Sequence, residues 1–169
     1  MSTEALHREE AVALVKNREA RCPCVLLLDT SSSMRGRPLI ALQAGLRTFQ
    51  AHLRHDALTR RRIEIAAIAF DGDVRVVQDF VTAEQFIPPM LTAQGLTRMG
   101  LAIHQGLDML QRRKAQYRVN GVTYYRPWIL MITDGEPQGE SERIVEAARR
   151  IDVSRRTKHR NKSFSLRWG

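Results

Sequence analysis

No apolar run in this sequence approaches the ~20 residues that a membrane-spanning helix needs. The N-terminal stretch carries Glu4, Arg8, Glu9, Glu10 and Lys16, with neither an apolar centre nor a small-residue cleavage site, so it does not read as a secretory signal. A cytoplasmic location is therefore expected. Cysteine is scarce: Cys22 and Cys24 have no second pair to complete a zinc site, and read as reduced thiols at a strand entrance. The histidines (His7, His52, His55, His104, His159) show no metal-motif spacing beyond His52 and His55, which read as solvated helix-end residues. No Gly-x-x-x-x-Gly-Lys loop is present, which argues against P-loop phosphate chemistry.

What is present suits one soluble globular domain. The 169 residues are enough for a single sizeable core, and 43% hydrophobic with 27% charged residues is ordinary for such a chain. The net charge of +9 is unevenly spread: residues 149–169 contribute +7, leaving +2 for the other 148 residues. A nucleic-acid role would have to rest on that tail alone. Only Phe164 and Trp168 stand there as aromatics, which is little for base stacking.

Residues 1–21 read as a polar arm or short helix. Val25–Leu28 is an apolar run of the kind buried on both faces in a parallel sheet. Leu39, Leu42, Leu46, Phe49 and Leu53 recur at steps of three and four, which predicts a helix from about Pro38 to His55. Arg60-Arg61-Arg62 reads as an exposed entry into a strand over Ile63–Phe70. Asp71-Gly72 is a turn signal leading into Val74–Val81, so these two strands form a hairpin whose second member is an antiparallel edge. Residues 82–98 are mostly loop. Met99, Ile103, Leu107 and Leu110 predict a second helix, closed by Arg112–Lys114. Asn120-Gly121 suggests a small hairpin turn. Trp128–Thr133 is a further strand, and Ser141 is a candidate cap for a helix reaching Ile151.

Two of the apolar runs end on a carboxylate. The first stops at Asp29, with Ser31, Ser32 and Ser33 immediately after. The second stops at Asp134, followed by Gly135. Open α/β sheets bind ligands just beyond the carboxyl ends of such strands. Asp29, Ser31 and Ser33 offer only oxygen, the ligand chemistry of a hard cation such as Mg²⁺. Gly95-Leu96-Thr97, ahead of the second predicted helix, adds another hydroxyl.

In chain order the set is Asp29, Ser31, Ser33, Thr97, Asp134. This pattern resembles a von Willebrand factor A domain with an intact metal-ion-dependent adhesion site, over roughly Cys22 to Ile151. Arg21-Cys22-Pro23-Cys24 and Tyr124-Tyr125-Arg126-Pro127-Trp128 are similar to the bacterial TerY-like group associated with tellurium resistance. The resemblance implies a Rossmann-like, doubly wound α/β fold with a mainly parallel central sheet and one antiparallel edge strand. It implies that Ser31, Ser33 and Thr97 bind Mg²⁺ (or Mn²⁺ or Ca²⁺) directly, and that Asp29 and Asp134 do so directly or through water. The ion then takes an Asp or Glu from a protein partner, so the site is a bridge and not a reaction centre. TerY-like proteins resemble scaffold components of stress systems, which is the setting this implies.

Other readings stay open beside this one. Asp29 could be the nucleophile of a phosphotransferase- or phosphatase-like enzyme, although the acid/base expected two residues on is replaced by Ser31. The basic tail could bind nucleic acid. Tyr124, Tyr125 and Trp128 are either local packing or a partner-contact surface, since Tyr and Trp are favoured at hot spots. The resemblance also breaks after Ile151. Residues 152–169 are basic and atypical, and the family's next core strand and final helix are not recognisable. A naturally short domain, an altered reading frame or cloning scar, and a tail that pairs with another chain would each account for this. A missing strand would leave the fourth strand with an open edge, to be covered by the tail or by self-association.

Overall fold

The computed structural model describes residues 17–135 and 139–156, with side chains to 152. Four strands, β1 (Cys22–Asp29), β2 (Ile63–Phe70), β3 (Val74–Thr82) and β4 (Trp128–Ile132), form one sheet in the order β3-β2-β1-β4. β1 runs parallel to both β2 and β4, and β3 is antiparallel to β2. The expected doubly wound sheet with one antiparallel edge is therefore the observed one.

Alternation along the central strands builds two cores. Val25 and Leu27 of β1, with Ala66, Ile68 and Phe70 of β2, face one layer. Leu26 and Leu28, with Ile65, Ala67 and Ala69, face the other. Both faces need helical cover because every one of these residues is buried. Helix α1 (Arg37–His55) covers the second face with Leu42, Leu46 and Leu53, and with Leu39 and Phe49 partly buried beside them. This is the face predicted from the sequence.

Three local readings are corrected. Residues 57–62 form a short helix, α2 (Ala57–Arg62), where Arg60-Arg61-Arg62 read only as an exposed entry to β2. Asp56 caps it, its carboxylate accepting the Thr59 N–H at 2.6 Å and the Thr59 hydroxyl at 2.7 Å. The second long helix, α3 (Met99–Val119), does not stop at Lys114 but runs on. Tyr117 is its fully buried anchor, donating to Glu64 Oε2 at 2.6 Å beside the Arg113 Nε bond to the same oxygen at 2.7 Å. Asn120-Gly121 is consequently the end of that helix and not a hairpin, with Gly121 at φ +65°. The two misreadings at the end of α3 have one cause: long-range burial, invisible to local pattern, carried the helix further.

The last described element, α4 (Ser141–Arg156), packs against α3, with Ala147 in the first core. Among the described residues β4 pairs only with β1, so its other edge is open. A largely apolar groove of about 440 Å³ lies between α1 and β4, floored by Leu26, Leu130 and Ile132. Residues 1–16 of the expected arm 1–21 and residues 157–169 of the expected tail 152–169, with the edge-covering role given to it, lie outside the described residues.

Candidate metal centre

Parallel β1 and β4 both end at the same edge of the sheet, paired through Leu28 and Ile132. The next residues of each strand therefore meet. Asp29 is fully buried: its Oδ1 accepts the Ser31 N–H at 2.8 Å and its Oδ2 accepts the Thr133 hydroxyl at 2.5 Å. Ser31 Oγ lies 3.0 Å from Ser33 Oγ, and the Ser33 hydroxyl donates to Asp134 Oδ1 at 2.8 Å. Thus Ser31, Ser33 and Asp134 form one hydrogen-bonded chain of side-chain oxygens, and Asp29 joins it through the backbone N–H of Ser31. Ser31 is buried, whereas Ser33 and Asp134 are exposed, so the chain runs from the sheet edge out to solvent.

Thr97 approaches Gly135 from another loop. A Cβ placed on Gly135 would stand 3.6 Å from Ser33 Oγ and 3.8 Å from Thr97 Oγ1. The missing side chain at Gly135 thus leaves these two hydroxyls around a shared space. Thr97 is only 3% exposed, and its hydroxyl has no hydrogen-bond partner among the described residues.

The loop that delivers Thr97 is fastened at several points. Gln94 N–H donates to Thr30 O at 2.7 Å, Ser32 N–H to Gly95 O at 3.1 Å, and Arg98 N–H to Asp71 O at 3.1 Å. Gly95 sits at φ +68°, and a Cβ there would meet Gly72 N at 3.0 Å, so both the backbone conformation and the close approach require glycine.

Three residues of this scaffold escaped the sequence reading: Thr30, Asp71 and Arg75. Asp71 accepts from the Thr30 hydroxyl at 2.9 Å and from Arg75 Nη1 at 3.1 Å and Nη2 at 2.5 Å. Burial works to raise the Asp71 carboxyl, but the bonds from Arg75, the Asp73 N–H and Thr30 outweigh it and hold the group below the usual carboxylate range. A signal was available, since β2 is a third apolar run that ends on a carboxylate. The turn reading of Asp71-Gly72 masked it.

The chemistry of the donor set separates Asp29 from its peers. Four carboxylates are buried: Asp29, Glu64, Asp71 and Glu140. Glu64 is paired with Arg113 and Arg21, Asp71 with Arg75, and Glu140 with Arg143. Among the described residues, Asp29 alone has no cationic partner. A buried carboxylate held only by neutral donors is costly, and a cation at the oxygen cluster would offset that cost. The five oxygen-bearing side chains therefore fit a hard divalent cation. No cluster of three His, Cys, Asp or Glu side chains occurs among the described residues, so a nitrogen- or sulfur-rich site is not an alternative there.

The aromatic candidates lie elsewhere. Trp128 begins β4, opposite Cys24 of β1, so the length of the strand separates it from Asp134. Tyr124 bridges to Arg21 and packs on Tyr117 with ring centroids 5.4 Å apart. Tyr125 stacks under the Arg62 guanidinium and is exposed, as is Trp128. They form no part of the oxygen cluster.

An open, mainly parallel sheet with an oxygen-lined crevice where two strand ends meet defines an α/β binding domain of the doubly wound class. The chain belongs to the von Willebrand factor type A domain family, whose model matches residues 24–157. Domains of this family are generally non-enzymatic protein-interaction modules. No curated protein matches the sequence. Among solved structures, the pilus adhesin SpaC from Lactobacillus rhamnosus GG in its open conformation is 19% identical, with a TM-score of 0.59 over 70% of this chain and 15% of that one. The PilB minor pilin from Streptococcus sanguinis is 16% identical, with a TM-score of 0.51 over 70% of this chain and 31% of that one. The ArnB paralog VWA2 from Sulfolobus acidocaldarius is 16% identical, with a TM-score of 0.50 over 72% and 29%. At these identities the likeness shows the fold. The chain spans less than a third of the length of each of the three. No helix among the described residues is long and apolar enough to cross a membrane.

Proposed function

We propose that this domain is a metal-dependent docking module in which Asp29, Ser31, Ser33, Thr97 and Asp134 hold a Mg²⁺ ion that captures an acidic residue of a partner protein. One observation carries the reading: Asp29 is the only buried carboxylate without a cationic partner among the described residues, and it is hydrogen-bonded to the backbone of Ser31, where the chain of side-chain oxygens begins. When bound, Mg²⁺ supplies positive charge and room for one further oxygen ligand. Ser31, Ser33 and Thr97 are neutral donors, so they orient the ion without cancelling its charge, which favours an incoming carboxylate. Asp29, pinned by Ser31 N–H and Thr133 Oγ1, fixes the inner side, and Asp134 closes the outer side. Mn²⁺ and Ca²⁺ are possible substitutes by the same oxygen chemistry.

The phosphotransferase reading is disfavoured because Asp29 is fully buried and the residue two positions on, where an acid/base would stand, is Ser31. The Arg21–Cys24 and Tyr124–Trp128 segments support a TerY-like scaffold in a cytoplasmic stress or tellurium-resistance system as the setting. Thermal melting with and without Mg²⁺, on the wild type and on Asp29→Ala, tests the reading. Stabilisation by Mg²⁺ that is lost in the variant supports it. A wild type indifferent to Mg²⁺, or one that turns over phosphate esters, refutes it.

A further inference from the structure

The two sides of the oxygen cluster differ in charge. On the Thr97 side charges of both signs are mixed: the β2–β3 turn and the start of α4 carry Asp71, Asp73, Glu140 and Glu142, of which Asp71 and Glu140 are answered by Arg75 and Arg143, and Arg98 is exposed beside them. On the Ser33 side the sequence has no acidic residue from Thr30 to His55. Arg35 and Arg37 are both exposed there, and neither guanidinium has a carboxylate partner among the described residues. Arg35 follows Ser33 by two residues and donates through Nε to Ala93 O at 3.3 Å, in the loop that delivers Thr97. That bond orients the guanidinium while leaving both Nη groups for a planar anion.

The placement also works against local stability. Arg37 is the first residue of α1, and the first turn holds no acidic residue. The preceding cap, Gly36, makes no side-chain bond to the helix. Cations at a helix N-terminus oppose its dipole, and an Asp or Ser there would stabilise the helix instead. A residue choice that costs stability beside a binding cluster points to use of the charge.

We propose that the partner's recognition segment carries more acid than the one coordinating carboxylate, and that Arg35 and Arg37 form a second contact point taking a further Asp or Glu on the Ser33 side. This rests on the coordination reading given above. The charge complementarity also steers association, so it weakens as ionic strength rises.

The test uses two glycine–serine peptides of equal length, one bearing a single aspartate and the other an aspartate followed by two glutamates. Binding is measured by fluorescence anisotropy in MgCl₂, on the wild type and on Arg35→Gln/Arg37→Gln. The multi-acid peptide is expected to bind the wild type about three- to tenfold tighter, the combined effect of two exposed charge pairs. In the double variant the two peptides become equal, while the single-acid affinity and the Mg²⁺-induced rise in melting temperature are kept. A wild type that does not distinguish the peptides, or a double variant that still does, overturns the proposal. So does loss of the Mg²⁺ response in the double variant, which would make the arginines part of the loop's fold. If neither peptide binds the wild type, it is the coordination reading that fails, and this inference with it.

Discussion

Replacing Asp29 by Asn isolates the electrostatic argument from packing. The amide is nearly isosteric and can keep both bonds: its oxygen accepts the Ser31 N–H, and its NH₂ donates to Thr133 Oγ1, whose hydroxyl turns to Gly135 O, 3.3 Å away. Loss of charge assistance over two bonds costs about 1–2 kcal/mol. Removal of a buried charge with no cationic partner returns on the order of several kcal/mol. The metal-free variant should therefore be more stable than the metal-free wild type by about 1–3 kcal/mol. At roughly 2–4 °C per kcal/mol for a chain of this size, that is a rise of about 2–12 °C in EDTA. Mg²⁺ at about a hundredfold its dissociation constant would stabilise the wild type by ~2.7 kcal/mol and leave the variant unmoved. Differential scanning calorimetry in EDTA and in MgCl₂ reads both effects. A variant less stable than wild type in EDTA, or one that keeps the full Mg²⁺ shift, would refute the reasoning.

Other consequences are independent of the ion. Gly95→Ala forces a side chain into a positive-φ position with Gly72 N at 3.0 Å, so urea denaturation should show a loss of about 1–2 kcal/mol, with weaker Mg²⁺ binding as Thr97 shifts. Because the folded Asp71 carboxyl is held below its usual range, its contribution to stability is present above the unfolded pKa of about 4 and is lost as pH falls through the lower folded value. Arg75→Ala should therefore destabilise the protein by about 2 kcal/mol at pH 7, and the difference from wild type should shrink in acid below about pH 4. Burial, with Cys22 beside it, pushes the Cys24 thiol up to about 12, so iodoacetamide at neutral pH should label Cys24 slowly until the protein is unfolded.

Much of the sheet was legible because its strands are apolar on both faces and end on polar residues. Val25–Leu28 and Ile129–Ile132 gave the parallel pair, and Asp71-Gly72 gave the antiparallel edge. The oxygen set was legible as well, since strand-end carboxylates and the hydroxyl loop stand in the sequence itself. The elements that hold Thr97 in place were not. Thr30, Asp71 and Arg75 meet through pairing of β1 with β2 and of β2 with β3, and the Thr133 hydroxyl reaches Asp29 through pairing of β1 with β4. The extent of α3 was hidden for the same reason, because Glu64, 53 residues from Tyr117, decides it. Local pattern named the candidate ligands, and tertiary contacts built their support.

Crystals of the wild type soaked in MnCl₂ would test the coordination most directly, through anomalous scattering. One strong peak about 2.1 Å from Ser31 Oγ and Ser33 Oγ, within reach of Thr97 and Asp134, is the predicted result. An empty cluster at saturating Mn²⁺, with Asp29 still bonded only to Ser31 and Thr133, would contradict it.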